Sequence, residues 1–292
     1  MIKSLPVLNR QAANCCAMSG ADRYKNPQNW YSTNLVGIPA WLLASTEFND
    51  YPQRLRIAGA RETHRGLFRL LEEAKSRADC AEKFRRYMEI VFQLNPSAYE
   101  IEHAEIRRFR PSYLKLLEGW GFDANSPQGA VLKGWVESRF GLTPTFHRAA
   151  LHQFPSDAWV RYMEEKYSSR FHGNSIQMQL DLLYEYCQFV IYRFGFPARD
   201  WVTLWRGVNS YDEPTITETR LEKGQHLVRL NNLVSFTTSR ERADEFGDWI
   251  LEVKVPVVKL LFFPDLLQKP LLASEGEVLA LGGYYSVKAS YA

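Results

Sequence analysis

Near Arg199-Asp200 the hydrophobic pattern changes period, and this change limits the possible folds more than any other feature of the chain. Upstream, Leu67, Leu70, Leu71 and Ala74 recur at helical spacing, followed by Phe84, Tyr87, Met88, Val91 and Phe92. Asp79-Cys80-Ala81-Glu82 reads as a capping box opening the second of these helices. A cap residue beside proline at Pro111-Ser112, Ser126-Pro127, Thr143-Pro144 and Pro155-Ser156 predicts further helix starts, and Gly141 and Gly195 suit C-terminal caps. Residues 180–194 are apolar nearly all round, as a buried central helix should be. Downstream, strands are predicted over 202–208, 226–230, 233–238, 250–257, 259–263, 278–281 and 284–289. One short helix over 240–246 interrupts them, with Ser239 as N-cap and Gly247 just beyond its end. Helices followed by strands predict an α+β fold, a helical N-terminal part packed on a mostly antiparallel C-terminal sheet.

The 292 residues allow one large domain. We expect a mobile N-terminus over 1–29 and a single domain over 30–292, mainly helical to 200 and mainly β from 201, because no Gly/Ser-rich linker separates the halves. A hydrophobic fraction of 46% with 14% aromatic residues requires a well-buried core. The net charge of +3 gives no case for a nucleic-acid partner; Arg107-Arg108-Phe109-Arg110 reads as a local contact patch or a solvated helix end. Neither Cys15-Cys16 nor the separate Cys80 and Cys187 has zinc-ligand or disulfide-framework spacing, and Cys187 reads as a small buried hydrophobe. Polar residues interrupt the first twenty positions, and no apolar run spans a bilayer, so the expectation is a cytoplasmic protein without a membrane span. The loop from Ser32-Thr33-Asn34 to Trp41 either clasps Trp41 and the following leucines to the core or offers its polar side chains to a site.

Three of the predicted strands carry chemistry. Arg206 stands in an apolar strand, where it needs either an internal carboxylate or a ligand phosphate. Gly207 after it leaves the backbone open to close approach by a flat ring. Ser235, Thr237 and Ser239 share one strand face, and so do Glu275 and Glu277. Hydroxyls often line an exposed edge, and paired glutamates often mark a solvated strand start; paired carboxylates otherwise need a cation or a raised pKa. Phe236 and Phe246 are candidate ring contacts or ordinary core residues, and the leucine-rich loop 264–273 meets a partner or packs inward. A cation, hydroxyls and two carboxylates in one cleft suit a substrate with anionic phosphates and a carbon that becomes cationic. NAD attacked at its nicotinamide-ribose carbon is such a substrate.

In this order, arginine, hydroxyl strand and Glu-x-Glu resemble the Arg–Ser–Glu pattern of mono-ADP-ribosyltransferases related to arginine-modifying toxins. Four stretches resemble the dinitrogenase reductase ADP-ribosyltransferases more closely: residues 32–45, the helix beginning Arg61-Glu62-Thr63-His64, Leu204-Trp205-Arg206-Gly207-Val208, and 231–237. The resemblance runs from Ser32 to the C-terminus. It implies transfer of ADP-ribose from NAD to an arginine of dinitrogenase reductase in its ADP-bound form, which switches nitrogenase off, and regulation by a PII signalling protein. It implies no metal. By the same resemblance Arg206 anchors the NAD diphosphate or ribose, and the Gly207 backbone meets nicotinamide. Glu277 binds the nicotinamide-ribose hydroxyl and stabilises the oxocarbenium-like transition state, while Glu275 holds and helps deprotonate the acceptor guanidinium. The family's Ser-Thr-Ser is here Thr237-Thr238-Ser239 preceded by Ser235, so which hydroxyl takes the serine's place stays open, Ser235 and Thr237 being the candidates for catalysis. Three alternatives stay open, an NAD glycohydrolase, an ADP-ribosyltransferase acting on another protein arginine, and a non-catalytic NAD-binding regulatory module.

Overall fold

The computed structural model describes residues 34–94, 111–151, 154–168, 170–195, 200–209, 215–221 (backbone only), 225–267 and 276–291. Ser32, Thr33, Cys15, Cys16, the 107–110 cluster, Glu275 and the loop beyond Leu267 lie outside them.

The helical part comes first. Short helices α1 (Ala40–Leu43), α2 (Thr46–Asp50) and α3 (Ala60–Thr63) precede α4 (Arg65–Glu72) and α5 (Arg77–Val91). Helix α5 starts one turn earlier than the Asp79 capping box predicts. Ser76 is the cap: its Oγ accepts the Asp79 amide at 3.1 Å while the Asp79 carboxylate reaches back to the Lys75 amide at 2.9 Å. This resembles a capping box shifted by three residues, with the carboxylate taking the amide one position before the cap. Helices α6 (Tyr113–Phe122) and α7 (Pro127–Phe140) start at the predicted caps Ser112 and Ser126, and Gly141 ends α7 in the left-handed region (φ 72°). After α8 (Asp157–Ser168), the predicted central helix is α9 (Asn174–Phe194).

One expected helix is absent. After Thr143-Pro144 the chain forms a small hairpin, β1 (Phe146–His147) and β2 (Ala149–Ala150), which turns at Arg148 with φ 57°. The cause is tertiary. The Asn231 side chain accepts the Thr145 amide at 3.0 Å and donates to the Phe146 carbonyl at 2.9 Å, taking an acceptor that a helix would use.

The strands are β3 (Trp201–Val208), β4 (Thr215–Leu221), β5 (Gln225–Thr237), β6 (Trp249–Pro256), β7 (Leu260–Phe262) and β8 (Glu277–Tyr291), with α10 (Arg240–Asp244) after β5. Their order is β4-β5-β3-β6-β8-β7, and β5 also pairs with β8, so β5, β3, β6 and β8 close on one another. The ladders are antiparallel. Strands predicted as separate halves are continuous: β5 runs through a bulge at Asn231-Asn232, and β8 runs through Gly282-Gly283. A Cβ on Gly282 would lie 1.5 Å from the Asn231 carbonyl, so the bulge and the glycine require each other.

Helix α9 joins the two parts. Its buried Tyr184 and Tyr186 donate to the carbonyls of Val258 (2.8 Å) and Leu266 (3.0 Å), and Gln188 donates to Val257 (3.0 Å) and Leu260 (2.8 Å). On its other sides Asp181 accepts from Trp135 and Arg139, and Glu185, fully buried, accepts the Ile57 amide and pairs with Arg61. Phe84 stacks on Tyr186 at 4.1 Å between ring centres. Cys187 is buried as expected. A single apolar cluster consequently runs from Leu43 through α9 to Val287. Asn34 clasps the entering loop, donating to the Phe140 carbonyl at 3.0 Å and accepting the Val36 and Gly37 amides. Among the described residues no helix is long and apolar enough to cross a membrane.

Candidate active site

Antiparallel pairing places the strand chemistry. Thr237 lies directly opposite Glu277, and Ser235 opposite Leu279, so Ser235 is the diagonal same-face neighbour of Glu277. The Ser235 hydroxyl donates to Glu277 Oε1 at 2.6 Å. On the other side β3 brings Arg206, whose Nη1 donates to the Ser235 carbonyl at 2.8 Å. One residue therefore holds both the guanidinium and the carboxylate. Thr237 is buried, and its Oγ1 accepts the Ser239 amide at 3.2 Å. Of the two candidate hydroxyls, Ser235 is the one bonded to Glu277. Ser239 has left the strand: β5 ends at Thr237, and Ser239 caps α10 by accepting the Arg242 amide.

Beside this junction lies a cleft of about 490 Å³. Arg206, Gly207, Ser235 and Phe246 line it from the sheet side, and Trp120, Asn125, Lys133, Phe146 and Arg148 from the helical side. Such a volume is within the range of small-molecule sites. Phe246, 57% exposed, stands at the cleft and not in the core. Phe236 does the opposite. Alternation turns it to the far face of β5, where it is buried edge-on to Tyr285, so it is a core residue and no ring contact for a ligand in the cleft.

Gly207 has a role that its sequence did not show. A Cβ there would lie 2.0 Å from the Ala243 carbonyl, so the missing side chain admits α10 against β3 as well as opening the cleft wall. Gly207→Ala is expected to cost about 1–3 kcal/mol by overpacking and to displace α10 together with neighbouring Phe246. Chemical denaturation measures the first effect; an unchanged midpoint would contradict the close packing.

Sequence reasoning missed the helical half of the cleft. Trp120, 4% exposed, donates its indole N–H to Ser235 Oγ at 2.8 Å. Lys133 is buried in α7 between Asn125 Oδ1 and the Phe146 carbonyl, both 3.0 Å from Nζ, with His147 Nδ1 at 3.4 Å. Burial holds the His147 imidazole below its ordinary pKa against the opposing hydrogen bond with Glu165, so it is neutral at pH 7. Arg148 pairs with the same Glu165 at 2.8 Å. A lysine inside the apolar run Val131-Leu132-Lys133-Gly134-Trp135 was the available signal. The Asn231-Asn232 bulge ties the two walls, since Asn232 donates to the carbonyls of Lys133 (2.9 Å) and Leu142 (2.8 Å). Among the described residues no three His, Cys, Asp or Glu side chains converge as metal ligands.

Three cationic side chains, Arg206, Lys133 and Arg148, thus face a cleft beside a hydroxyl-bound glutamate, an arrangement suited to a phosphate-bearing substrate. Comparisons with known proteins agree. No solved structure matches the chain. A curated protein of Rhodospirillum rubrum, named NAD(+)–dinitrogen-reductase ADP-D-ribosyltransferase, is 51% identical over 275 residues, covering 93% of this chain and 98% of that protein. The profile of one family, dinitrogenase reductase ADP-ribosyltransferase, matches residues 33–289, and the chain belongs to that family.

Proposed function

We propose that this protein transfers ADP-ribose from NAD to an arginine of dinitrogenase reductase, releasing nicotinamide and inactivating nitrogenase. The observation that carries the reading is the junction at Ser235, a cleft-lining residue that holds both Arg206 and Glu277. The printed name of the Rhodospirillum rubrum relative supplies donor and acceptor. When bound, NAD supplies an electrophilic ribose carbon and a good leaving group in nicotinamide. Arg206 then holds the diphosphate or ribose through its planar fork of donors, with Lys133 and Arg148 adding positive charge from the helical wall. Ser235 keeps the Glu277 carboxylate aimed at the ribose, where it stabilises developing positive charge. Phe246 offers a ring face at the cleft. Glu275 takes the proton that an arginine nucleophile must lose as it attacks, since a charged guanidinium is a poor nucleophile. The arrangement belongs to the Arg–Ser–Glu class. The same reading includes one domain over 30–292, a cytoplasmic location, and control by a PII signalling protein through a surface to which no residue is assigned.

The test follows label from NAD carrying labelled ADP-ribose in the presence of ADP-bound dinitrogenase reductase, with nicotinamide release recorded in parallel. We expect label on one arginine, with Glu275→Gln abolishing labelling while retaining some nicotinamide release. Release without protein label in the wild type would make the protein a glycohydrolase. Absence of both would overturn the reading.

A further inference from the structure

We propose that Trp120, on the helical side of the cleft, is a positioning residue for Glu277 and acts through the Ser235 hydroxyl. The proposal rests on the functional reading above only for its kinetic arm.

An indole N–H is a donor and cannot accept. A serine hydroxyl carries one proton and rotates among three staggered positions unless its neighbours choose one. Trp120 Nε1 lies 2.8 Å from Ser235 Oγ and occupies an acceptor lobe of that oxygen. The hydroxyl proton then has one charged acceptor in line, Glu277 Oε1 at 2.6 Å. Donation by the indole also polarises the hydroxyl and strengthens the second hydrogen bond. Direction runs one way along the chain, from indole to hydroxyl to carboxylate. Glu277 is thereby held in one rotamer by a group more than 150 residues away in sequence.

Trp120 is itself fixed. Helix α6 is capped by Ser112, and the Tyr113 amide donates to Gln179 of α9 at 2.9 Å. Gly119 lets α6 pack on α7, for a Cβ there would meet the Gln128 side chain at 2.7 Å. The indole is 4% exposed, and Lys133 Nζ lies 5.9 Å from its ring centre. The segment after it, Asp123-Ala124-Asn125, lines the cleft. The helical part thus supplies both the donor that sets the Ser235 hydroxyl and part of the cleft wall.

Trp120→Phe keeps an aromatic ring and removes the donor. With NAD and dinitrogenase reductase as substrates, we expect kcat to fall about tenfold, the factor of one lost hydrogen bond, with KM for NAD changed less than about twofold. The acid limb of the pH–rate profile should move to higher pH, because the carboxylate loses part of its support. Ser235→Ala should remove the effect of a second Trp120→Phe change, since the two act in series. A purely packing role for Trp120 would lower thermal stability, leave the acid limb in place and add to Ser235→Ala; that result overturns the proposal.

A measurement on the full chain independent of turnover completes the test. In ¹⁵N-labelled protein the Trp120 indole resonance, identified by its loss in Trp120→Phe, should shift as a carboxylate titrates, and this titration should vanish in Glu277→Gln and in Ser235→Ala. An indole resonance indifferent to both substitutions would refute the relay even if the enzyme were active. If wild type releases no nicotinamide yet the indole titrates with Glu277, the relay stands and the functional reading falls.

Discussion

Glu277→Gln is expected to lower the rate of ADP-ribose transfer by about 10³-fold while NAD binding changes by less than about threefold. Glutamine has nearly the shape of glutamate and can still accept the Ser235 hydroxyl that lies 2.6 Å from Oε1. What it lacks is the negative charge. A charge aimed at a reacting carbon is worth most in the transition state, where positive charge develops, and least in the ground state. The loss therefore belongs in kcat. Removal of a single preorganised group of this kind costs roughly 10²–10³ in rate, and full charge removal lies at the upper end. Stability should hardly change, because Glu277 is only half-buried at the first position of β8. Single-turnover nicotinamide release and calorimetric titration with NAD give the two halves of the result. Retention of more than about a tenth of the wild-type rate, with binding intact, would remove Glu277 from the chemistry.

The strand half of this site was legible because strands obey a short period. The hydrogen bond selects Ser235 as the partner of Glu277 although the register sets Thr237 directly opposite it, and alternation, once the strands were recognised, had gathered Ser235 and Thr237 on one face. It also put Phe236 on the wrong face for a ligand. The helical half was not legible. Helical periodicity says which side of α6 and α7 is buried, but not what it is buried against, so Trp120 and Lys133 went unnoticed. The same limit explains the fold's departures from expectation. Thr143-Pro144 has the local chemistry of a helix start, yet Asn231, 86 positions further on, captures the Thr145 amide and a hairpin forms instead. Asn231-Asn232 and Gly282-Gly283 read as breaks between strands, whereas each is tolerated because the other faces it. Local signals gave element type; the exceptions were set by partners distant in sequence.

Lys259 does not line the cleft and carries the largest expected effect on stability. It ends the 3₁₀ turn Val257–Lys259 between β6 and β7, is fully buried, and its ammonium has no hydrogen-bond partner among the described residues. Two rings face it, Phe48 with its centre 5.3 Å from Nζ and Tyr285 at 4.9 Å. Burial pulls its pKa from the ordinary 10.5 down to about 7. The sign follows from proton counts. Between about pH 7 and 10.5 the unfolded chain holds a proton that the folded chain has lost, so stability rises with pH across that window. Below pH 7 both states are protonated and the full penalty persists; above 10.5 it is gone. At about 1.4 kcal/mol per pH unit the penalty near neutrality would approach 5 kcal/mol. The measured gain from its removal should be smaller, because cation–π contact of about 0.5–2 kcal/mol is lost with the charge. Lys259→Met, which keeps an unbranched chain and sets sulfur against the same rings, is therefore expected to stabilise the protein by about 2–4 kcal/mol at pH 7, on the order of 10 °C in Tm. Denaturation of both proteins at pH 7 and pH 9.5 checks it: the gap between them should narrow steadily as pH rises. A gap independent of pH would mean that Lys259 is solvated or paired in the folded state, and a less stable methionine variant would mean that the ammonium is held more favourably than two aromatic faces alone can account for.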